Sequence, residues 1–101
     1  MATKAASTII VSRVQTGEPL QFQVLVRETS GETSHTVTMS RPTCEKLAGG
    51  ERTPEQVIEA AFRFLLDREP KESILSRFDV TEISRYFPEF PRELQHYLPR
   101  A

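Results

Sequence analysis

Cys44, His35 and Glu45 are the residues of this chain whose types could form a nucleophilic centre. A thiol attacks as its thiolate, and it needs a base beside it that a third group orients. Cys44 stands near the start of a short helical stretch, where the helix dipole favours a thiolate, and His35 lies near the end of the preceding strand. A plainer reading competes. Unpaired cysteine is among the most buried residue types, and His35 falls on the apolar face of its strand. We take the plainer reading: the chain is expected to be non-enzymatic, with Cys44 the one candidate for a reactive thiol. His96 falls on the polar side of the last expected helix and is assigned no role.

Metal chemistry has less to build on. Zinc needs three or four converging cysteine, histidine or carboxylate ligands, and one cysteine with two distant histidines has no such spacing. Glu59, Arg63 and Asp67 recur at i, i+4 intervals, the spacing of a solvated ion-pair strip. The four glycines form no phosphate-cradling loop. No metal, cofactor or small-molecule ligand is expected.

The composition bounds the remaining classes. With 101 residues, 38% hydrophobic and 27% charged, the chain is sized and composed for one globular domain, here residues 8–101 after a flexible stretch at 1–7. Its net charge is −1, with five Lys/Arg against four Glu in residues 1–50 and five against five acidic residues in 70–101. Nucleic-acid binding driven by phosphate contacts needs a concentrated positive surface, which this even mixture does not supply. One cysteine allows no internal disulfide. No apolar run approaches a membrane span or a secretory leader, so a cytoplasmic protein is expected.

The elements that must position these residues are legible in the patterning. Residues 8–14, 20–28 and 34–39 alternate apolar and polar with a period of two, and "QTGEP" and "TSGET" supply turns between them. Such short connections allow only antiparallel neighbours, so the expected sheet is a three-stranded meander with one apolar face. That face needs a cover. "RPTCEKLAGG" reads as a short helical turn closed by glycine, and "TPEQ" as the capping box of a long core helix over 54–68. Val57, Ile58, Ala60, Ala61, Phe62, Phe64, Leu65 and Leu66 occupy most of that helix's circumference, which marks it as buried on more than one side.

Two or three short helices are expected beyond it. One starts at Pro70 and aligns Ile74, Leu75 and Phe78. "DVTE" forms a second capping box at Asp79, with Phe78 and Ile83 placed as a hydrophobic staple. A last helix from about Pro91 stacks Phe90, Leu94, Tyr97 and Leu98. The expected fold class is α+β.

Two surfaces remain as candidates for recognition. Aromatic residues crowd the C-terminal segment, and Tyr86, Phe90, Tyr97 and Leu98 lie on helices too short to guarantee cover from their own chain. They are the candidate partner-binding residues, either for self-association as a homodimer or for docking another protein. Gln21, Gln23, Arg27, Thr36 and Thr38 share the polar outer face of the sheet. They would be the contacts of an alternative, weak binding of nucleic acid, although that face has no aromatic residue to stack a base. The reading favoured by the residues is a small protein-interaction module.

Overall fold

A computed structural model describes residues 7–99; the expected flexible stretch lies, Ser7 apart, outside the described residues. The strands are β1 (Thr8–Gln15), β2 (Leu20–Glu28) and β3 (Gly31–Met39), followed by helices α1 (Arg41–Ala48) and α2 (Pro54–Leu66). A short strand β4 (Arg77–Asp79) comes next, and two one-turn helices follow, α3 (Ile83–Tyr86) and α4 (Phe90–Glu93). Three-residue 3₁₀ turns at Lys71–Ser73, Val80–Glu82 and Leu94–His96 link the C-terminal elements. The protein is α+β, with the expected meander and core helix in place.

The sheet alternates as its sequence does. β2 buries Leu20, Phe22, Val24 and Val26, and its partner β3 buries His35, Val37 and Met39. β1 and β2 pair antiparallel from Thr8 opposite Arg27 to Arg13 opposite Phe22, and the register shifts between Arg13 and Gln15. β2 and β3 pair from Leu20 opposite Met39 to Glu28 opposite Gly31. Gly31 has φ of 140°, a backbone conformation in the tight hairpin turn that a side chain would strain.

The sheet has one strand more than the meander. β4 pairs parallel to β3, with Phe78 opposite Val37 and Asp79 opposite Thr38. The crossover through α1 and α2 makes the parallel direction possible. Residues 70–78 are therefore not the helix that their spacing suggests. Only Lys71–Ser73 turns, and the chain then extends because β3 offers an unpaired edge. The Thr36 N–H donates to the Ser76 carbonyl at 2.8 Å, and the Thr38 hydroxyl donates to Asp79 at 2.7 Å.

α2 is the hub. Thr53 caps it through a complete capping box with Gln56, an arrangement that contributes about 1 kcal/mol. The helix ends at Leu66, two residues before the expected stop, because the Arg68 and Glu69 N–H groups both turn back to the Leu65 carbonyl. Arg13 clamps its first turn to β1 with two 2.8 Å hydrogen bonds to Glu55, and these bonds hold the Glu55 carboxyl below its ordinary pKa.

Candidate functional site

The C-terminal aromatics fold back onto α2. Phe64 is packed edge-on by Phe87, Phe90 and Tyr97, with ring centroids 5.8, 5.0 and 5.9 Å away. The Arg68 guanidinium lies 3.7 Å from the Phe64 ring centre and reaches Glu89, so it ties α2 to the approach of α4. Tyr97 closes the arrangement by donating its hydroxyl to Asp67 at 2.7 Å.

This packing sorts the four candidate partner-binding residues. Phe90 is 1% exposed and Leu98 6%, so both belong to the core and leave the candidate surface. The reason is geometric: the C-terminal segment docks onto α2 rather than standing free, with Phe90 packed on Phe64 and Leu98 within the core cluster. Tyr97 is half-buried with its hydroxyl engaged. Tyr86 stands apart at 68% exposed.

Tyr86 borders an apolar groove of about 240 Å³. Leu65 and Phe78 contribute from α2 and β4, Ile83 and Phe87 from α3 and its end, and Ile74 and Leu75 from the extended segment before β4. Leu75 is 47% exposed and does not share a buried face with Ile74 and Phe78 as its spacing suggests. Two carboxylates lie at the rim. Glu82 is tied into the Asp79 capping box, where it accepts from the Asp79 N–H at 3.0 Å. Burial raises the Glu69 carboxyl above its ordinary pKa, and among the described residues no ion pair offsets that cost.

The rim is held rigidly. The His35 Nδ1 donates to the Leu75 carbonyl at 2.8 Å, and the His35 ring packs 5.3 Å from Phe62. Below it, Lys71 is 2% exposed and its ammonium reaches Ser30 at 2.9 Å, Glu28 at 3.2 Å and Glu72 at 2.7 Å. Three acceptors match the three donors of an ammonium group, so the segment leading to Leu75 is pinned to the β2–β3 hairpin. Patterning gave no warning of Leu75, Glu69 or the Lys71 lock. They lie outside regular elements, where periodicity carries no signal.

The nucleophile candidates are engaged otherwise. Both His35 ring nitrogens are bonded, Nδ1 to Leu75 and Nε2 to the Thr33 hydroxyl at 2.8 Å. Cys44 is buried, and desolvation raises its thiol pKa, opposite to the shift that activates a cysteine. Among the described residues no three or more His, Cys, Asp and Glu side chains gather into a possible metal site, and no helix is long and apolar enough to cross a membrane.

On the outer sheet face the structure brings Gln21, Gln23, Thr36 and Thr38 together, and the side-chain hydrogen bonds of the last three run within the sheet. Gln23 donates to Ser34 and accepts from Thr36, Thr38 donates to Asp79, and Arg27 pairs with Glu32 at 2.9 Å. β4 adds the Asp79 carboxylate to this face. Hydrogen bonds from Thr81 and Thr38 outweigh the burial that would raise its pKa and hold it charged. Compared with known proteins, the chain matches no family model, no curated protein and no solved structure.

Proposed function

We propose that this protein is a small non-enzymatic interaction module that docks a segment of a partner protein in the groove between α2, β4 and α3. The observation that carries the reading is the contrast around Tyr86. Its neighbours Ile83 and Phe90 are buried, yet Tyr86 and Leu75 stand exposed, and both line the apolar groove. Tyrosine is enriched among interface hot spots, and an exposed ring at an apolar cleft can serve as such an anchor. The rim selects the partner's chemistry. Among the described residues Glu69 has no ion-pair partner, so the docked segment combines leucine, isoleucine or phenylalanine with an adjacent lysine or arginine, whose charge offsets the desolvation cost.

Panning a random peptide library against the full chain tests this. Enriched peptides should pair apolar anchors with a basic residue and lose binding on Tyr86→Ala and on Leu75→Ser. Peptides whose binding ignores both substitutions overturn the reading. Nucleic-acid binding by the outer face is the weaker alternative, because Gln23, Thr36, Thr38 and Arg27 already bond neighbours within the sheet and the face carries Asp79 beside Thr38.

A further inference from the structure

The strand order β1-β2-β3-β4 leaves the outer edge of β1 without a pairing strand among the described residues. An open edge presents alternate N–H and C=O groups that a further strand satisfies, and proteins usually blunt such edges with charge, proline or a bulge. In β1 the blunting devices sit at one end only: the charge of Arg13 and the register shift that follows it. Thr8–Ser12 carries neither, and "TIIVS" is β-branched at four of its five positions.

The side chains of this stretch are self-complementary. Ile9 and Val11 point to the helix-covered face, opposite the buried Val26 and Val24, and Thr8, Ile10 and Ser12 point to the outer face. A twofold axis normal to the sheet keeps like faces together only if facing residues have the same parity. With the axis at Ile10, Ile10 meets Ile10, Ile9 meets Val11 and Thr8 meets Ser12. Every one of these pairs is uncharged and β-branched on at least one side. An axis at Val11 would instead set Ile9 against Arg13, which is already committed to Glu55.

Two incompletely covered side chains gain from the Ile10-centred register. Ile10 is 36% exposed and lies across from Leu25, so a second copy extends the outer face into a continuous row of Leu25, Ile10, Ile10 and Leu25. Val11 packs against the core but stays only partly buried, and Ile9 of the second copy covers it. We propose that β1 pairs antiparallel with β1 of a second copy about a twofold axis at Ile10, joining two four-stranded sheets into one of eight strands. This edge is separate from the groove, and the proposal stands without that reading.

Sedimentation of the full chain from about 1 μM to about 1 mM, the span in which a modest interface populates, should show reversible dimers. Ile10→Lys sets like charges face to face on an exposed position and should weaken dimerisation by about tenfold or more. Ile10→Thr keeps a β-branched strand former and should weaken it less, while Tyr86→Glu should leave it unchanged. A monomer throughout the range overturns the proposal, as does a dimer indifferent to Ile10→Lys. A dimer abolished by Tyr86→Glu overturns it too and assigns self-association to the groove.

The register has its own test. In a Cys44→Ala background with a glutathione redox buffer, Ile10→Cys should form a disulfide-linked dimer readily, because facing β residues lie within disulfide reach. Ser12→Cys, which faces Thr8, should cross-link far more slowly. The reverse order overturns the register.

Discussion

The His35 Nδ1 sits 2.8 Å from the Leu75 carbonyl oxygen, joining the middle of β3 to the rim of the groove across forty residues of chain. A carbonyl only accepts, so Nδ1 carries a proton, and Nε2 lies 2.8 Å from the Thr33 hydroxyl on the other side of the ring. The residue that a sequence offers as a catalytic base thus serves as a strut. His35→Ala removes the ring from Phe62 and leaves the Leu75 carbonyl without its donor. Denaturant unfolding should report a loss of about 2–4 kcal/mol. Amide shifts should spread to Leu75 and Phe78, and an effect confined to β3 would refute the strut.

Phe90 and Tyr86 should respond oppositely to truncation. Phe90→Ala opens a cavity beside Phe64 and should cost about 3–5 kcal/mol. Tyr86→Ala removes an exposed ring and should change stability by no more than about 0.5 kcal/mol. Equal costs at the two positions would contradict the packing of the C-terminal segment over α2.

Asp79 joins two structures. It caps the turn at Val80 through Thr81 and Glu82, and it accepts from Thr38 on β3. Asp79→Ala should destabilise by about 2 kcal/mol, since it forfeits a cap and a charge-assisted bond together. Hydrogen exchange should quicken first at Thr36, the β3 amide bonded to the Ser76 carbonyl. Unchanged protection there would show that β4 holds without its latch.

The Lys71 lock has a pH signature. Hydrogen bonds from Ser7 and then Lys71 hold Glu28 below its ordinary pKa, and a bond from Lys71 does the same for Glu72. A lowered carboxyl contributes stability that is present above its unfolded value, about 4.3, and is lost as pH falls through the folded value. Lys71 is raised, chiefly by its bond to Glu72. Its contribution is complete below the unfolded value of about 10.4 and is lost as pH rises through the folded one. Wild type should therefore exceed Lys71→Met in stability near neutrality, with the difference shrinking below about pH 4 and again in strong alkali. A difference independent of pH would mean that the ammonium group acts by packing alone.

Cys44 tests the assignment of its thiol as core. A thiol reagent near neutral pH should label it slowly, and denaturant should accelerate labelling in step with unfolding, because burial both hides the sulfur and raises its pKa. Rapid labelling of the native protein would reopen the nucleophile reading.

Periodicity alone determined much of this protein. The alternation over Leu20–Glu28 sets one face of the meander inward, and the apolar sweep of Val57–Leu66 makes α2 its centre. The "TPEQ" and "DVTE" caps stand where their spacing puts them. These features are local, because each depends on residues within a turn or two of one another.

Tertiary structure decided the rest, wherever a residue's fate depended on a distant partner. Residues 70–78 have the apolar spacing of a helix, yet β3 held an unpaired edge and drew Arg77–Asp79 into a fourth strand. Phe90 and Tyr86 are both aromatics on one-turn helices. Only the position of Phe64 buries the first and leaves the second exposed beside the groove. Lys71 reads as a surface charge until Ser30, Glu28 and Glu72 converge on it. A short segment has too little local energy to choose its own conformation, so the fold chooses for it.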